Sequence, residues 1–235
     1  MPVVTIEGYL GSGYQTIGRS VAEKLGIDFV DRVILSKIAK EMDKHLAEIV
    51  DLQKKPEEKS FTERITDNLL KALEKSALSG GGADPFFGHG IENLLSSPYK
   101  DFPHKQDLEE NLDFSKAIKK VINEIAKQGS VLILGRGASG VLRNDESALK
   151  VGIYCDFDVR IKKYAKREGI SSDEARNKIL EYDEGKKNYY LNIFQKQPLD
   201  PSIFNIIFNS ELLPEDEIID DICENAKKYL SKRNK

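Results

Sequence analysis

Cysteine is scarce in this chain of 235 residues: there are two, Cys155 and Cys223, far apart and without a CxxC spacing. This excludes a disulfide framework and fits a reducing compartment. Histidine is nearly as sparse. His45, His89 and His104 stand far apart, with no metal-ligand spacing and no Ser-His-Asp arrangement. No apolar run approaches the roughly 20 residues needed to cross a bilayer, so no membrane partner is expected. The opening "MPVVTIEGYLGSG" lacks a basic segment followed by a long apolar core. It does not read as a signal peptide, and a cytoplasmic protein is expected. A basic excess is missing too. The net charge is −3, which gives no reason to expect a nucleic-acid partner. Tryptophan is absent altogether, and that excludes nothing.

What is present is an ordinary globular composition, 40% hydrophobic and 32% charged. The length suits one good-sized core, or one domain with a large insertion. Val3 to Ile6 are mostly β-branched and apolar and end at a glycine-rich turn, which predicts a buried strand of a parallel sheet. Ile17, Val21 and Leu25 then form a helical stripe, and Gly26 stops it. "IDFVD" reads as a second strand. The opening is a βαβ unit. Apolar residues repeat from Ile34 to Val50, break at Pro56, and repeat again from Ile65 to Ala77. A long Gly-, Pro- and Ser-rich stretch follows. It reads as a flexible loop, with Asp84 as a turn residue before Pro85.

Helical spacing returns from Ala117 to Ile125 and ends at Gly129. "SVLILGRG" and "ALKVGIYCD" are the next strands, and Phe157 to about Gly169 is a charged helix. Ser171 and Glu174 make a capping box for a helix to about Tyr190. "IFNIIFNS" is a last strand, and Pro214 opens a closing helix. Strands alternating with helices predict a three-layer α/β domain with a parallel sheet. The expectation is one domain over 1–235. It carries a helical insertion at about 33–112, with a Gly-rich loop at 78–105, and a lid region at about 160–197.

The stretch "EGYLGSGYQT" holds the glycines of the pattern G-x-x-x-x-G-K-[ST] at Gly8 and Gly13, with Gly11 and Ser12 between them. Such a loop wraps a phosphate with backbone N–H groups, and side chains would obstruct the wrap. The following helix points its N-terminus at the same anion. Tyr14 stands where the lysine belongs, Gln15 where the first hydroxyl belongs, and Thr16 one position on. Losing the lysine removes the charge that reaches the β- and γ-phosphates. A glycine turn without a ligand is the plain alternative.

"LGRG" sets Arg136 just past a parallel strand, at the crevice where ligands bind in open α/β sheets. There it can hold a phosphate in bidentate fashion, or form a surface salt bridge. Arg160, Tyr164 and Arg167 share a helix face. Lys186 and Lys187 follow near a hinge at Gly185. Between Arg160 and Lys187 nine Lys/Arg face six Asp/Glu, so this segment is +3. A solvated helix face is the alternative to a site.

Taken together, "GYLGSGYQTIGRSVAEKLGIDFVDR", "VLILGRGASGVLR", "KVGIYCDFDVRIKKYAKREGISSDEARNKI", "YDEGKKNYY" and "NIIFNS" resemble the cytidylate kinase-like branch of the P-loop nucleoside monophosphate kinases. The likeness spans almost the whole chain except 50–112. It implies a P-loop NTPase-like fold that transfers the γ-phosphate of ATP to a nucleoside monophosphate or similar small acceptor. It implies ATP bound at Gly8, Gly11, Ser12, Gly13, Tyr14, Gln15 and Thr16. It implies Mg²⁺ at Thr16 and Asp31, an acceptor phosphate at Arg136, and lid cations at Arg160, Arg167 and Lys187. Asn209 and Ser210 match the place where the last strand nears the base. The departures are the missing lysine, the missing arginine at Gln15 and "GRG" in place of "GRD"; Arg19 lies one turn on. Two other readings stay open. One is a non-catalytic nucleotide- or phosphate-binding regulator. The other is a vestigial site beside a partner-binding arm, with a homodimer formed through the insertion.

Overall fold

The computed structural model describes residues 2–38, 60–78 and 108–233. Most of the helix expected from Ile34 to Val50, the break at Pro56, Asp84, the loop beyond Leu78 and all three histidines lie outside them. So does much of the 33–112 region on which the dimer reading rests.

Five strands form the sheet: β1 Val3–Gly8, β2 Asp28–Val30, β3 Val131–Leu134, β4 Ala148–Tyr154 and β5 Ile206–Asn209. Their order is β2-β3-β1-β4-β5, and every pairing is parallel. β1 is central and buried along its whole length, which suits its β-branched sequence. Its register pairs Ile6 with Leu134, so the turns after β1 and β3 leave the sheet side by side. Gly135 N–H donates to the Ile6 carbonyl at 2.9 Å across that junction.

The helices are α1 Tyr14–Leu25, α2 Phe61–Leu78, α3 Leu108–Gln128, α4 Ala138–Val141, α5 Phe157–Glu168, α6 Ser172–Phe194 and α7 Glu215–Arg233. Residues 32–38 are helical as well. Gly26 ends α1 in the left-handed region and donates to Ala22 and Glu23, as a glycine after a helix does. α3 starts ahead of the apolar repeat at Ala117, and the short α4 has no apolar stripe to announce it.

Side chains alternate across β1 and divide the core in two. Val4 and Ile6 face α1 and α7, where Ile17, Val21, Ile218 and Ile222 are fully buried. Val3 faces the opposite layer. Ile65 and Leu69 of α2, Ile118 and Ile122 of α3, and Tyr189, Tyr190 and Phe194 of α6 fill that layer. The expected three-layer α/β architecture with a parallel sheet is therefore present. Among the described residues, no helix is long and apolar enough to cross a membrane.

In α6, Ser171 Oγ accepts from Glu174 N–H at 3.1 Å, as the capping box predicts. The helix then runs unbroken through Gly185 to Phe194, where Gln195 turns left-handed. The hinge expected at Gly185 is absent because the helix is seated there: Gly185, Lys186, Tyr189 and Tyr190 are all buried.

Candidate functional site

The loop from Gly8 to Gly13 joins β1 to α1. A Cβ on Gly8 would stand 2.6 Å from Tyr14 Cβ and 2.8 Å from Ser12 Oγ, so only glycine lets the loop close this tightly. Gly13 takes φ 82° and leads α1 with no side-chain cap. Among the described residues, the first N–H groups of α1 have no intrahelical acceptor and none from the N-cap residue, and the Glu215 carboxylate stands beside Gly13. Ser12 Oγ is buried without a hydrogen-bond partner. Unsatisfied donors and a buried hydroxyl inside a glycine curl make a place for an anion. Gln15 and Thr16 are exposed on the first turn of α1. Tyr14 is buried, and its hydroxyl meets that of Tyr182 at 3.0 Å.

α6 crosses the loop and puts a lysine on it. Lys186 Nζ donates to the Gly8 carbonyl at 2.7 Å and to Glu7 Oε2 at 2.9 Å. The two charged side chains are 1% and 0% exposed. The rings of Tyr9, Tyr14 and Tyr190 surround the ammonium at 5.9, 5.7 and 5.6 Å. Lys187, the lid lysine implied by the resemblance, is exposed on the other side of α6. The sequence did hold a signal for its neighbour. Tyr182, Lys186, Tyr189, Tyr190 and Phe194 fall on one helical stripe, so Lys186 is a cation in the middle of an apolar face.

The helix face expected to carry Arg160 and Arg167 together is divided in the structure. Arg160 is buried and forks onto Asp183 of α6 at 3.0 and 2.7 Å, while its Nη1 also donates to the Leu10 carbonyl at 3.2 Å. Burial pushes the Asp183 carboxyl above its ordinary value, against the opposing pull of Arg160. Arg167 is exposed and donates to Glu168 and to Gln15 Oε1.

Arg136 occupies the turn after β3, in a left-handed conformation at φ 61°. Its carbonyl accepts from the Tyr189 hydroxyl at 2.7 Å. A Cβ on Gly137 would stand 2.6 Å from Phe194 and 2.9 Å from Tyr189, at φ +70°. The "GRG" departure thus has a steric cause: α6 packs where an aspartate side chain would begin.

A cleft of about 580 Å³ opens between these turns, lined by Tyr14, Thr16, Arg19, Asp31 and Arg136 among others. Arg160, Arg167, Lys186 and Lys187 are not among its lining residues; Lys186 reaches the loop from behind, at Gly8. Asp31 Oδ1 accepts from Val33 and Ile34 N–H at 2.9 and 3.0 Å, capping residues 32–38. Its Oδ2 lies 3.9 Å from Arg19. Among the described residues no group of three or more His, Cys, Asp and Glu is placed to hold a metal. Among the described residues lining the cleft, Asp31 is the one carboxylate. At the far side, Ser210 Oγ donates to the Ser12 carbonyl at 2.7 Å and ties the end of β5 to the loop. Asn209 Oδ1 caps its own turn by accepting from Glu211 N–H.

The profile of the cytidylate kinase-like family matches residues 3–212. The cytidylate kinase of Methanopyrus kandleri is 31% identical over 117 residues, 46% of this chain and 61% of that protein. That of Pyrococcus horikoshii is 39% identical over 87 residues, 37% of this chain and 44% of its own. The chain thus spans about half the length of these curated relatives. Among solved structures, an uncharacterized protein from Eubacterium ventriosum superposes with a TM-score of 0.59. It covers 97% of this chain and 98% of its own at 19% identity, a likeness of fold. The family match runs from the start of β1 past the end of β5 and takes in both glycine turns and α6; the chain belongs to the cytidylate kinase-like family.

Proposed function

We propose that this protein is a phosphotransferase of the nucleotide kinase class. It moves the γ-phosphate of ATP to a nucleoside monophosphate or a similar small phosphorylated acceptor. The observation that carries this reading is the shared cleft: Leu10 of the glycine loop, the first turn of α1, Asp31 and Arg136 open onto one space beside adjacent parallel strands. Phosphoryl transfer is mostly positioning and electrostatic stabilisation, a task that two neighbouring turns beside one cleft would suit.

In this reading the glycine loop from Gly8 to Gly13, Ser12 Oγ and the N-terminal N–H groups of α1 hold the ATP phosphates, while the Ser12 N–H closes the loop on the Tyr9 carbonyl. Tyr14, Gln15 and Thr16 line the first turn beneath them. Arg136 binds the acceptor phosphate through its fork of donors. Thr16 and Asp31 would hold Mg²⁺, which neutralises charge on the phosphates. The residues fit that ion: they share the cleft, and Asp31 Oδ2 takes no part in the helix cap. Arg160 positions the loop through the Leu10 carbonyl. Arg167 and Lys187, both exposed on the α5–α6 pair, close over bound nucleotide. Both cysteines are buried free thiols, which suits a reducing, cytoplasmic setting.

The test is calorimetric titration with ATP and Mg²⁺, followed by an ADP-release assay against each nucleoside monophosphate. Saturable ATP binding and acceptor-dependent ADP are expected. At about 100 times its Kd, the nucleotide should add about 2.7 kcal/mol of stability. Binding without product from any acceptor supports the regulator instead, and no binding at millimolar nucleotide overturns both readings.

A further inference from the structure

The loop lacks its lysine, yet a lysine stands at its first glycine. We infer that Lys186 supplies the phosphate-directed charge that Tyr14 cannot, so the cation of this phosphate loop comes from α6 and not from α1. The inference rests on the phosphotransferase reading of the cleft.

Position is the first argument. Tyr14 Cβ and Cγ lie against Gly8, so the side chain that replaces the lysine runs back toward the start of the loop. Lys186 arrives there from the other side, with Nζ 2.7 Å from the Gly8 carbonyl and 5.7 Å from the Tyr14 ring centre. A lysine at 14 and a lysine at 186 converge on one place. Tyr14 also leaves its hydroxyl on Tyr182, one turn before Lys186, so the substituted residue holds the helix that brings the substitute.

Energetics is the second. Lys186 shares its helix face with Tyr189, Tyr190 and Phe194, where an apolar residue would pack without loss of hydration. Burying a lysine and a glutamate together instead carries a desolvation penalty, and replacing such pairs by apolar residues is often neutral or stabilising. Packing alone gives no reason for the pair. Glu7 Oε1 is buried beside the Tyr190 hydroxyl and makes no well-aligned hydrogen bond. Glu7 is the counter-ion of Lys186 beside the loop. A compact ammonium on a flexible stem can then divide itself between the Gly8 carbonyl and an incoming phosphate oxygen.

The experiment uses the full chain in three forms: wild type, Glu7→Gln/Lys186→Met and Tyr14→Lys/Lys186→Met. The first double variant removes both charges, so no carboxylate is left buried alone. The second returns a lysine to the loop itself. Each is followed by thermal melting, ATP titration and single-turnover phosphate transfer. The expected result is that both variants melt cooperatively. Glu7→Gln/Lys186→Met should lose on the order of 10³-fold in transfer, the scale of a lost phosphate-directed cation. Tyr14→Lys/Lys186→Met should recover most of that loss. Transfer within a few-fold of wild type in the first variant overturns the inference and leaves the phosphotransferase reading intact. A folded second variant that recovers nothing overturns it too, as does loss of cooperative melting in both, because Lys186 is then a structural residue. Wild type that binds no nucleotide fails the reading of the cleft, and this inference with it.

Discussion

Two neighbouring strands of the sheet end in the same way. β1 runs into Gly8–Gly13 and then α1; β3 runs into Gly135, Arg136 and Gly137 and then α4. Each helix follows a glycine in the left-handed region, Gly13 at φ 82° and Gly137 at φ 70°. α6 reaches both turns, through Lys186 on the Gly8 carbonyl and Tyr189 on the Arg136 carbonyl. The difference lies in the origin of the charge. The second turn carries its own cation, Arg136. The first has a tyrosine in the cation's place, with a lysine from 178 residues away. If both turns hold phosphate, the first keeps its backbone frame while its charged side chain comes from another element.

The sharpest way to break this symmetry is at Gly137. Gly137→Asp puts a Cβ 2.6 Å from the Phe194 ring at a left-handed φ, and should cost about 3 kcal/mol of stability from overpacking and backbone strain together. Urea denaturation checks it, and an unchanged midpoint would mean that α6 does not hold the second turn. Next is Arg136→Ala. If the turns hold separate phosphates, loss of a charged hydrogen-bonding group worth about 1.5–3 kcal/mol should raise the acceptor KM roughly 10- to 100-fold. The Kd for ATP should stay close to wild type. An equal loss on both ligands would show that the two turns act on one. Smaller again is Tyr189→Phe. It removes the hydrogen bond to the Arg136 carbonyl and leaves that oxygen buried, at a cost of about 1–2 kcal/mol in the same denaturation assay.

The same contrast explains what could be read from the chain. The glycines of the first loop, the strand before it and Arg136 after "VLIL" lie within short stretches, and the chemistry of each turn is written locally. So were the cap of α6 at Ser171 and the left-handed stop at Gly26, because both are decided by side chains within a few residues. The contacts that complete the site are not local. Lys186 meets Gly8, Ser210 meets Ser12, and Arg160 meets Leu10 only after the sheet has brought their elements together. The family resemblance implies Lys187 as the lid lysine. The helical stripe from Tyr182 to Phe194 carried the opposite message, that Lys186 points inward. Arg160 could not be separated from Arg167 by spacing, since the acid that buries it, Asp183, comes from the next helix.

The finest test of the comparison uses pH. The clamp on the first turn includes Asp183, faced by Arg160 and Lys186; burial raises its carboxyl above the ordinary value even so. Its protonated form is thus favoured by folding. The stability it contributes is fully present below the ordinary carboxylate value and is lost as pH rises through the raised one. The contact at the second turn has no such window. Burial pushes the Tyr189 hydroxyl upward, further from the acid range, so that hydrogen bond is silent there. Unfolding free energies measured from about pH 3 to about pH 6 should therefore decline with pH in wild type relative to Asp183→Asn, which cannot titrate. Tyr189→Phe should shift the wild-type curve without changing its slope. A constant gap between wild type and Asp183→Asn would mean that the first turn is no more sensitive to pH than the second.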